Sequence, residues 1–154
     1  DADPPNLVSL SIGNFYLAII HPKIMISTKS ARQILPKKIN LSDAVKQWGN
    51  ISGLTAGFIN DDIKLIKKSM KDFIIEPVRS KLIPDYNNVK KIAMDNGAVG
   101  CSISGSGPSI FALCQDEKTA NKVLNKMSTQ LKSISIESHA YLSSINRDGI
   151  KIID

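Results

Sequence analysis

Between Gly97 and Phe111 the chain reads Gly-Ala-Val-Gly-Cys-Ser-Ile-Ser-Gly-Ser-Gly-Pro-Ser-Ile-Phe, the stretch best supplied with groups that can bind an anion. Gly105 and Gly107 permit backbone conformations closed to other residues and let a ligand approach the main chain. The backbone N–H groups there, with the hydroxyls of Ser104, Ser106 and Ser109, are able to form a concavity suited to an anion. A tight glycine turn in a hairpin is the alternative reading of the same residues. Two familiar phosphate loops are excluded. A dinucleotide fingerprint needs a third glycine and a following helix, whereas position 110 is Ile and a strand is expected. A Walker loop needs Gly-Lys-Ser/Thr, and this loop has Gly107-Pro108-Ser109. Cys101 and Cys114 sit in apolar, strand-like segments without metal spacing and read as reduced core thiols. His21 and His139 are too isolated in sequence to suggest a metal site.

The elements that must hold this loop follow from periodicity. Phe15 to Ile20 and Ile24 to Ile26 read as strand, interrupted at Pro22. Ser27 and Thr28 offer N-caps for a short helix through Ala31, Arg32 and Leu35, ended by Pro36. Ser42 and Asp43 open a longer helix carrying Leu41, Ala44, Val45, Trp48, Leu54 and Phe58. Gly49, Gly53 and Gly57 lie along one face of it, which implies either close backbone packing or an irregular helix. Asn60 to Asp62 start a helix with Ile63, Ile66, Met70, Phe73 and Ile74, closed by Pro77. Pro84 and Asp85 begin another with Tyr86, Val89, Ile92 and Ala93, ending at Gly97.

Strands are expected at Ala98 to Ile103 and Ser109 to Cys114, flanking the glycine turn. A helix with Ala120, Val123, Leu124, Met127 and Leu131 follows. Alternation resumes at Ile134, Ile136, Ala140 and Leu142, and Asp148-Gly149 signals a hairpin between Ile145 and Ile152. Short strands mixed with helices, partly as antiparallel hairpins, predict an α+β fold with helices covering one sheet face. No repeat or linker divides the chain, so residues 1–154 are expected to form one domain.

Composition narrows the function classes. With 154 residues, 42% hydrophobic and 22% charged, the chain has the balance of a folded domain. No apolar run approaches the length of a membrane span. The net charge of +6 comes from lysines scattered on helix faces, such as Lys64, Lys67, Lys68 and Lys71. That pattern is a solvated face rather than a nucleic-acid surface, though it favours small anionic ligands. The polar, proline-rich start is no signal or transit peptide. Since it begins at Asp1, the chain is expected to be cut from a longer polypeptide.

Three segments together carry a resemblance. Ser102-Ile103-Ser104-Gly105-Ser106-Gly107-Pro108-Ser109-Ile110-Phe111-Ala112-Leu113 resembles the third motif of the GHMP small-molecule kinases, in the form typical of homoserine kinases. His21-Pro22 with Ser27-Thr28-Lys29-Ser30-Ala31-Arg32 is similar to the family's "HP…ST..AR" segment. Ile75-Glu76-Pro77-Val78-Arg79 with Ile83-Pro84 is similar to its "EP.R…IP" segment. Order and spacing agree from about Leu7 onward.

The resemblance implies a ferredoxin-like C-terminal domain on the substrate side of a cytoplasmic kinase. That kinase would transfer the γ-phosphoryl group of ATP to the side-chain hydroxyl of L-homoserine, in threonine biosynthesis. It implies that Arg32 and Arg79 hold the amino-acid carboxylate, a task suited to a permanently charged bidentate fork. Thr28 would assist from one helical turn before Arg32, or else cap the helix. Ser104 and Gly105 would approach the substrate near the transferring group, while Ser106, Gly107 and Pro108 shape the loop. The family's Pro-x-x-x-Gly-Leu-Gly-Ser-Ser loop does not occur in these 154 residues. ATP and Mg²⁺ are therefore expected to be bound mainly by an N-terminal half outside this chain, with no catalytic or metal-binding residue here. Alone, the chain is expected to fold without turning over ATP, and to bare an apolar patch where that half would sit. Homo-oligomerisation stays open. So do a stand-alone amino-acid-binding domain and a GHMP kinase acting on another alcohol, such as mevalonate.

Overall fold

Alternating apolar residues along β1 (Tyr16–Pro22) build the central strand of the computed structural model, which describes residues 10–146. Ala18 and Ile20 point to one side and are fully buried, while Leu17 packs on the other. Period-two alternation in a strand buried on both faces requires this. The chain continues through α1 (Thr28–Gln33), α2 (Leu41–Ile59), α3 (Ile63–Ser69), α4 (Glu76–Arg79) and a 3₁₀ turn at Ser80–Leu82. Then come α5 (Tyr86–Asp95), β2 (Gly100–Ile103), β3 (Ile110–Cys114), α6 (Glu117–Ser133) and β4 (Ser138–Ser144).

The four strands lie in the order β2-β3-β1-β4, and every neighbouring pair is antiparallel. With α5 before the β2–β3 hairpin and α6 after it, this is the ferredoxin-like β-α-β-β-α-β pattern, with α1 to α4 inserted after β1. Register places Ala18 opposite Ala112 and Ile20 opposite Ile110. These residues, with Cys101, meet Val89 and Ala93 of α5 and Val123, Met127 and Leu131 of α6 in the main core. A fully buried side chain of this size contributes about 1.5–3 kcal/mol relative to exposure, so α5 and α6 hold this face of the sheet firmly. Both cysteines are unpaired and buried. Burial pushes the Cys101 thiol up to about 12 and that of Cys114 to about 11.

The other face carries a smaller cluster in which Phe15, Val99 and Leu113 meet Ile66 of α3 and, from α2, Leu54 and Phe58. The α2–α3 hairpin thus covers part of the face that the sheet pattern left unassigned. The glycines of α2 divide. A Cβ at Gly57 would lie 2.8 Å from Ile66 Cγ1, and one at Gly53 would collide with Ser69 Oγ, whereas one at Gly49 would meet nothing within 4 Å. α2 is unbroken, so close packing on α3 explains two glycines and leaves the third open.

Three local expectations shift. Ile24 to Ile26 is not strand, because Ile24 N–H bonds back to Pro22 O and turns the chain after the last ladder bond, Lys23 N–H to Glu137 O. The helix starting at Ile63 ends at Ser69 rather than running to Ile74. Asp72 interrupts it by accepting the N–H groups of Ile74 and Ile75 at 2.8 Å and of Glu76 at 3.2 Å. Pro77 consequently opens α4 instead of closing the preceding helix, a position where its missing N–H costs nothing. The Asp148-Gly149 signal lies outside the described residues.

Candidate functional site

Arg79 joins three separate segments. As the last residue of α4, it donates from Nη1 to Gly105 O at 2.8 Å and from Nε to Ala31 O at 3.4 Å. A guanidinium has five N–H donors. These two bonds therefore fix its plane and leave Nη2 and one Nη1 hydrogen for a ligand. Ala31 is buried and precedes Arg32, which is exposed and whose side chain has no hydrogen bond or ion pair among the described residues.

Ser27 caps α1 from an extended conformation, its Oγ accepting from Ser30 N–H at 3.4 Å. Capping therefore falls to Ser27. Thr28, the first residue of α1, keeps its hydroxyl free of that task and stands one turn before Arg32, as the sequence spacing requires.

The glycine segment is the turn of the β2–β3 hairpin, as the simpler of its two readings has it. Ser104 N–H bonds Ser109 O at 2.8 Å, and Gly107 N–H bonds Ser104 O at 3.0 Å. Gly105 and Gly107 have φ of +59° and +82°, in the region that favours glycine, and the Gly107–Pro108 peptide is cis. Gly105 has open space around its Cα, so its main chain is approachable; Gly107 is crowded by Ile83 at 3.2 Å from a built Cβ. Ser104 and Gly105 are exposed, whereas Pro108 is buried beneath the loop. Ser109, at the far end, has its Oγ 2.8 Å from His21 Nδ1, which ties the loop to the end of β1.

Behind Arg79 lies a network that reading along the chain did not reveal. The Glu76 carboxylate binds Lys90 Nζ of α5 through Oε1 and accepts from Ser102 Oγ of β2 at 2.8 Å through Oε2. Both charged side chains are largely buried, at 13% and 26% exposure. Burial, followed by the neighbouring Glu76 carboxylate, pushes the Tyr86 phenol up. Asp72 and Glu76 together hold α4 at both its amides and its side chain, and so set where Arg79 can reach.

The structure thus brings Arg79, Gly105, Ser104 and the Ala31–Arg32 segment together at one end of the sheet. An apolar cavity of about 220 Å³, lined in part by Ile51, Leu54, Met70 and Phe111 and reaching Asp72 and Ser102, lies between α2 and the sheet. It contains none of the predicted site residues. Since anion binding needs converging donors rather than apolar walls, the candidate site is the Arg79 cluster. Glu76, Lys90, Asp72 and the His21–Ser109 pair are the additions. Glu76, His21 and Ser109 lay within the quoted motif segments, while Lys90 and Asp72 carried no signal. Register also sets His21 opposite His139 across β1 and β4. Among the described residues no group of three His, Cys, Asp or Glu side chains is placed to hold a metal ion.

Known proteins share this fold. Residues 54–133 match the family model described as GHMP kinases C terminal. A homoserine kinase of Chlorobium phaeobacteroides is 40% identical over 154 residues, covering 98% of this chain and 48% of that protein. The crystal structure of a homoserine kinase from Cytophaga hutchinsonii superposes with a TM-score of 0.94 at 51% identity, again over 98% of this chain and 48% of that one. A Streptococcus pneumoniae phosphomevalonate kinase shares the fold, with a TM-score of 0.61 at 15% identity over 86% of this chain and 40% of that one. The chain spans about half the length of the curated relatives it matches. No helix among the described residues is long and apolar enough to cross a membrane.

Proposed function

Because the chain belongs to the GHMP kinase family, as its C-terminal domain, we propose that it forms the substrate-side half of a homoserine kinase and holds the L-homoserine carboxylate. The observation that carries this reading is the Arg79 bridge from Gly105 O to Ala31 O. It draws the three motif-bearing segments together and leaves guanidinium donors free, with the uncommitted Arg32 next in sequence to its partner Ala31. Arg32 and Arg79 grip the carboxylate, with Thr28 beside them. Fixing that end of the substrate orients its side-chain hydroxyl toward the Ser104–Gly105 turn. Phosphoryl transfer depends chiefly on such positioning and on stabilising charge.

Mg-ATP supplies the phosphoryl group and neutralises its charge. Among the described residues no acidic cluster is placed to hold magnesium, and our reading assigns nucleotide and metal to the N-terminal half of the kinase. The contribution of this chain is binding and orientation of the acceptor. The two unpaired, buried thiols suit a reducing compartment, and the cytoplasm is the proposed location.

The test is a coupled ADP-release assay on the native-length gene product with Mg-ATP and L-homoserine. Arg32→Ala and Arg79→Ala should each raise KM for homoserine by about ten- to a thousandfold, the loss of a charge-assisted pair. KM for ATP should change far less. Homoserine-independent turnover, or variants that leave KM for homoserine unaltered, would sink the proposal. The 154-residue chain alone should give no homoserine-dependent ADP release.

A further inference from the structure

α4 is a single turn that carries opposite charges three residues apart, Glu76 at its start and Arg79 at its end. Side chains at that spacing are neighbours on a helix surface, and opposite charges there ordinarily attract. Here they do not pair. Glu76 binds Lys90 Nζ through Oε1 and Ser102 Oγ at 2.8 Å through Oε2, while Arg79 gives its bonds to two main-chain carbonyls, Gly105 O and Ala31 O. Both side chains leave α4 toward the same hairpin, in which Ser102 and Gly105 are three residues apart. Carbonyls orient a guanidinium without cancelling its charge. Arg79 therefore keeps a whole positive charge one turn from a carboxylate that is committed elsewhere.

That commitment is well protected. Glu76 and Lys90 are both largely buried, so solvent and salt screen them less than a surface pair. Lys90 Nζ also lies 6.0 Å from the centroid of the Tyr86 ring, which steadies the ammonium from within α5. The other carboxylate of the segment, Asp72, is occupied as well, by the amides of Ile74, Ile75 and Glu76.

We propose that Lys90 is a positioning residue that holds Glu76 off Arg79, keeping the guanidinium free for the carboxylate of an incoming amino acid. Without the ammonium, Glu76 retains only the neutral Ser102 hydroxyl, on one oxygen, and turns to the cation one turn ahead. It then competes from within the molecule for the place that a substrate carboxylate fills. The apparent affinity falls with the fraction of molecules in which Arg79 stays free. Such a competitor raises KM and is displaced at saturation, whereas a displaced Arg79 lowers kcat as well. Since Arg79 enters here as a carboxylate ligand, this inference rests on the function proposed above.

The test uses the native-length gene product with Mg-ATP and L-homoserine. Lys90→Met, which keeps most of the stem and removes the charge, should raise KM for homoserine about tenfold, with kcat and KM for ATP altered less than about twofold. Adding Glu76→Gln should recover most of that rise, because the amide has no charge with which to compete. If Lys90 served only to brace α4, the double variant would be no better than the single one. Circular dichroism checks that each variant folds. Should Lys90→Met fail to fold, Ser102→Ala, which frees only Oε2, takes its place, with a rise of about threefold that Glu76→Gln reverses. Arg79→Ala, measured alongside, tells the two readings apart. If it raises KM for homoserine and Lys90→Met does not, the carboxylate site stands and the role of Lys90 falls; if neither raises it, both fall. A double variant that is not rescued, or a loss confined to kcat, would likewise overturn the proposal.

Discussion

α2 and α6 are similar in length, at nineteen and seventeen residues, yet they are stabilised in different ways. α6 buries Ala120, Val123, Leu124, Met127 and Leu131 on the sheet and presents Lys118, Lys122 and Lys126 to solvent. Its N-terminus is closed by Asp116, whose carboxylate accepts from Thr119 N–H at 2.8 Å and Oγ1 at 2.7 Å. α2 fully buries only Ala44 and Gly57, has no side-chain bond at its N-cap Asn40, and packs Leu54 and Phe58 inward while leaving Leu41, Val45, Trp48, Ile51 and Ile59 exposed. A helix with one apolar stripe normally faces it to the core. α6 obeys that rule. α2 settles on α3 through Gly53 and Gly57 and on the sheet through Leu54 and Phe58, and leaves five large apolar side chains exposed. The pattern alone thus identifies an amphipathic helix, while the direction it faces depends on how closely its small residues let a neighbour approach.

The contrast can be broken by substitution. Met127→Ala in α6 removes a fully buried side chain and should cost about 2–5 kcal/mol in urea unfolding. Trp48→Ala in α2, where the indole is 59% exposed, should cost under about 1 kcal/mol despite deleting a larger group. Equal losses would mean that Trp48 is packed as tightly as Met127. Gly57→Ala should destabilise by about 1–3 kcal/mol through its clash with Ile66. Gly49→Ala, with the same chemistry two turns earlier and open space around it, should raise the melting temperature by about 0.5–1 kcal/mol worth of helix propensity. Two changes of the same sign would sharpen nothing and would refute the division of the glycines.

The smallest effect concerns the cap. The backbone and side-chain hydrogen bonds from Thr119 hold the Asp116 carboxyl below its usual range. Its contribution is therefore present above the unfolded-state value near 3.9 and is lost as pH falls through the lower folded value. The stability gap between the native chain and Asp116→Ala should close progressively below about pH 4. A gap that persists at pH 2 would show that the cap does not act through its charge.

Much of the fold was legible because its signals are local. Met127 and Leu131 mark a helix by period, and Gly97, with φ of +110°, ends α5 where a glycine stop predicts. The α+β class follows from the two strands around Gly105. What escaped the reading depends on partners distant in sequence. Pro77 closes or opens a helix according to where Asp72 places its carboxylate, and Ile24 leaves the sheet because Pro22 O turns back to it. At the site, the motif residues Arg32, Arg79 and Gly105 were identifiable by resemblance. Their arrangement was not, since Lys90 and Ser102 lie fourteen and twenty-six residues from the Glu76 they bind. No periodicity encodes such a pairing.

The Arg79 bridge has a consequence for how the binding surface comes into being. Its two carbonyl partners are forty-eight and twenty-six residues away along the chain. Each contact requires a long loop to close before it returns any stabilisation. The sheet joins strands still farther apart in sequence, but each of those closures is repaid by the ladder and burial of a whole strand, whereas the bridge returns two hydrogen bonds. The Arg79 cluster should therefore be the last part of the molecule to assemble and the first to let go, opening and closing as a subglobal unit while the core stays folded. In native-state hydrogen exchange, Gly107 N–H should exchange well ahead of the amides of β1, so the molecule would lose its grip on a ligand long before it loses its shape.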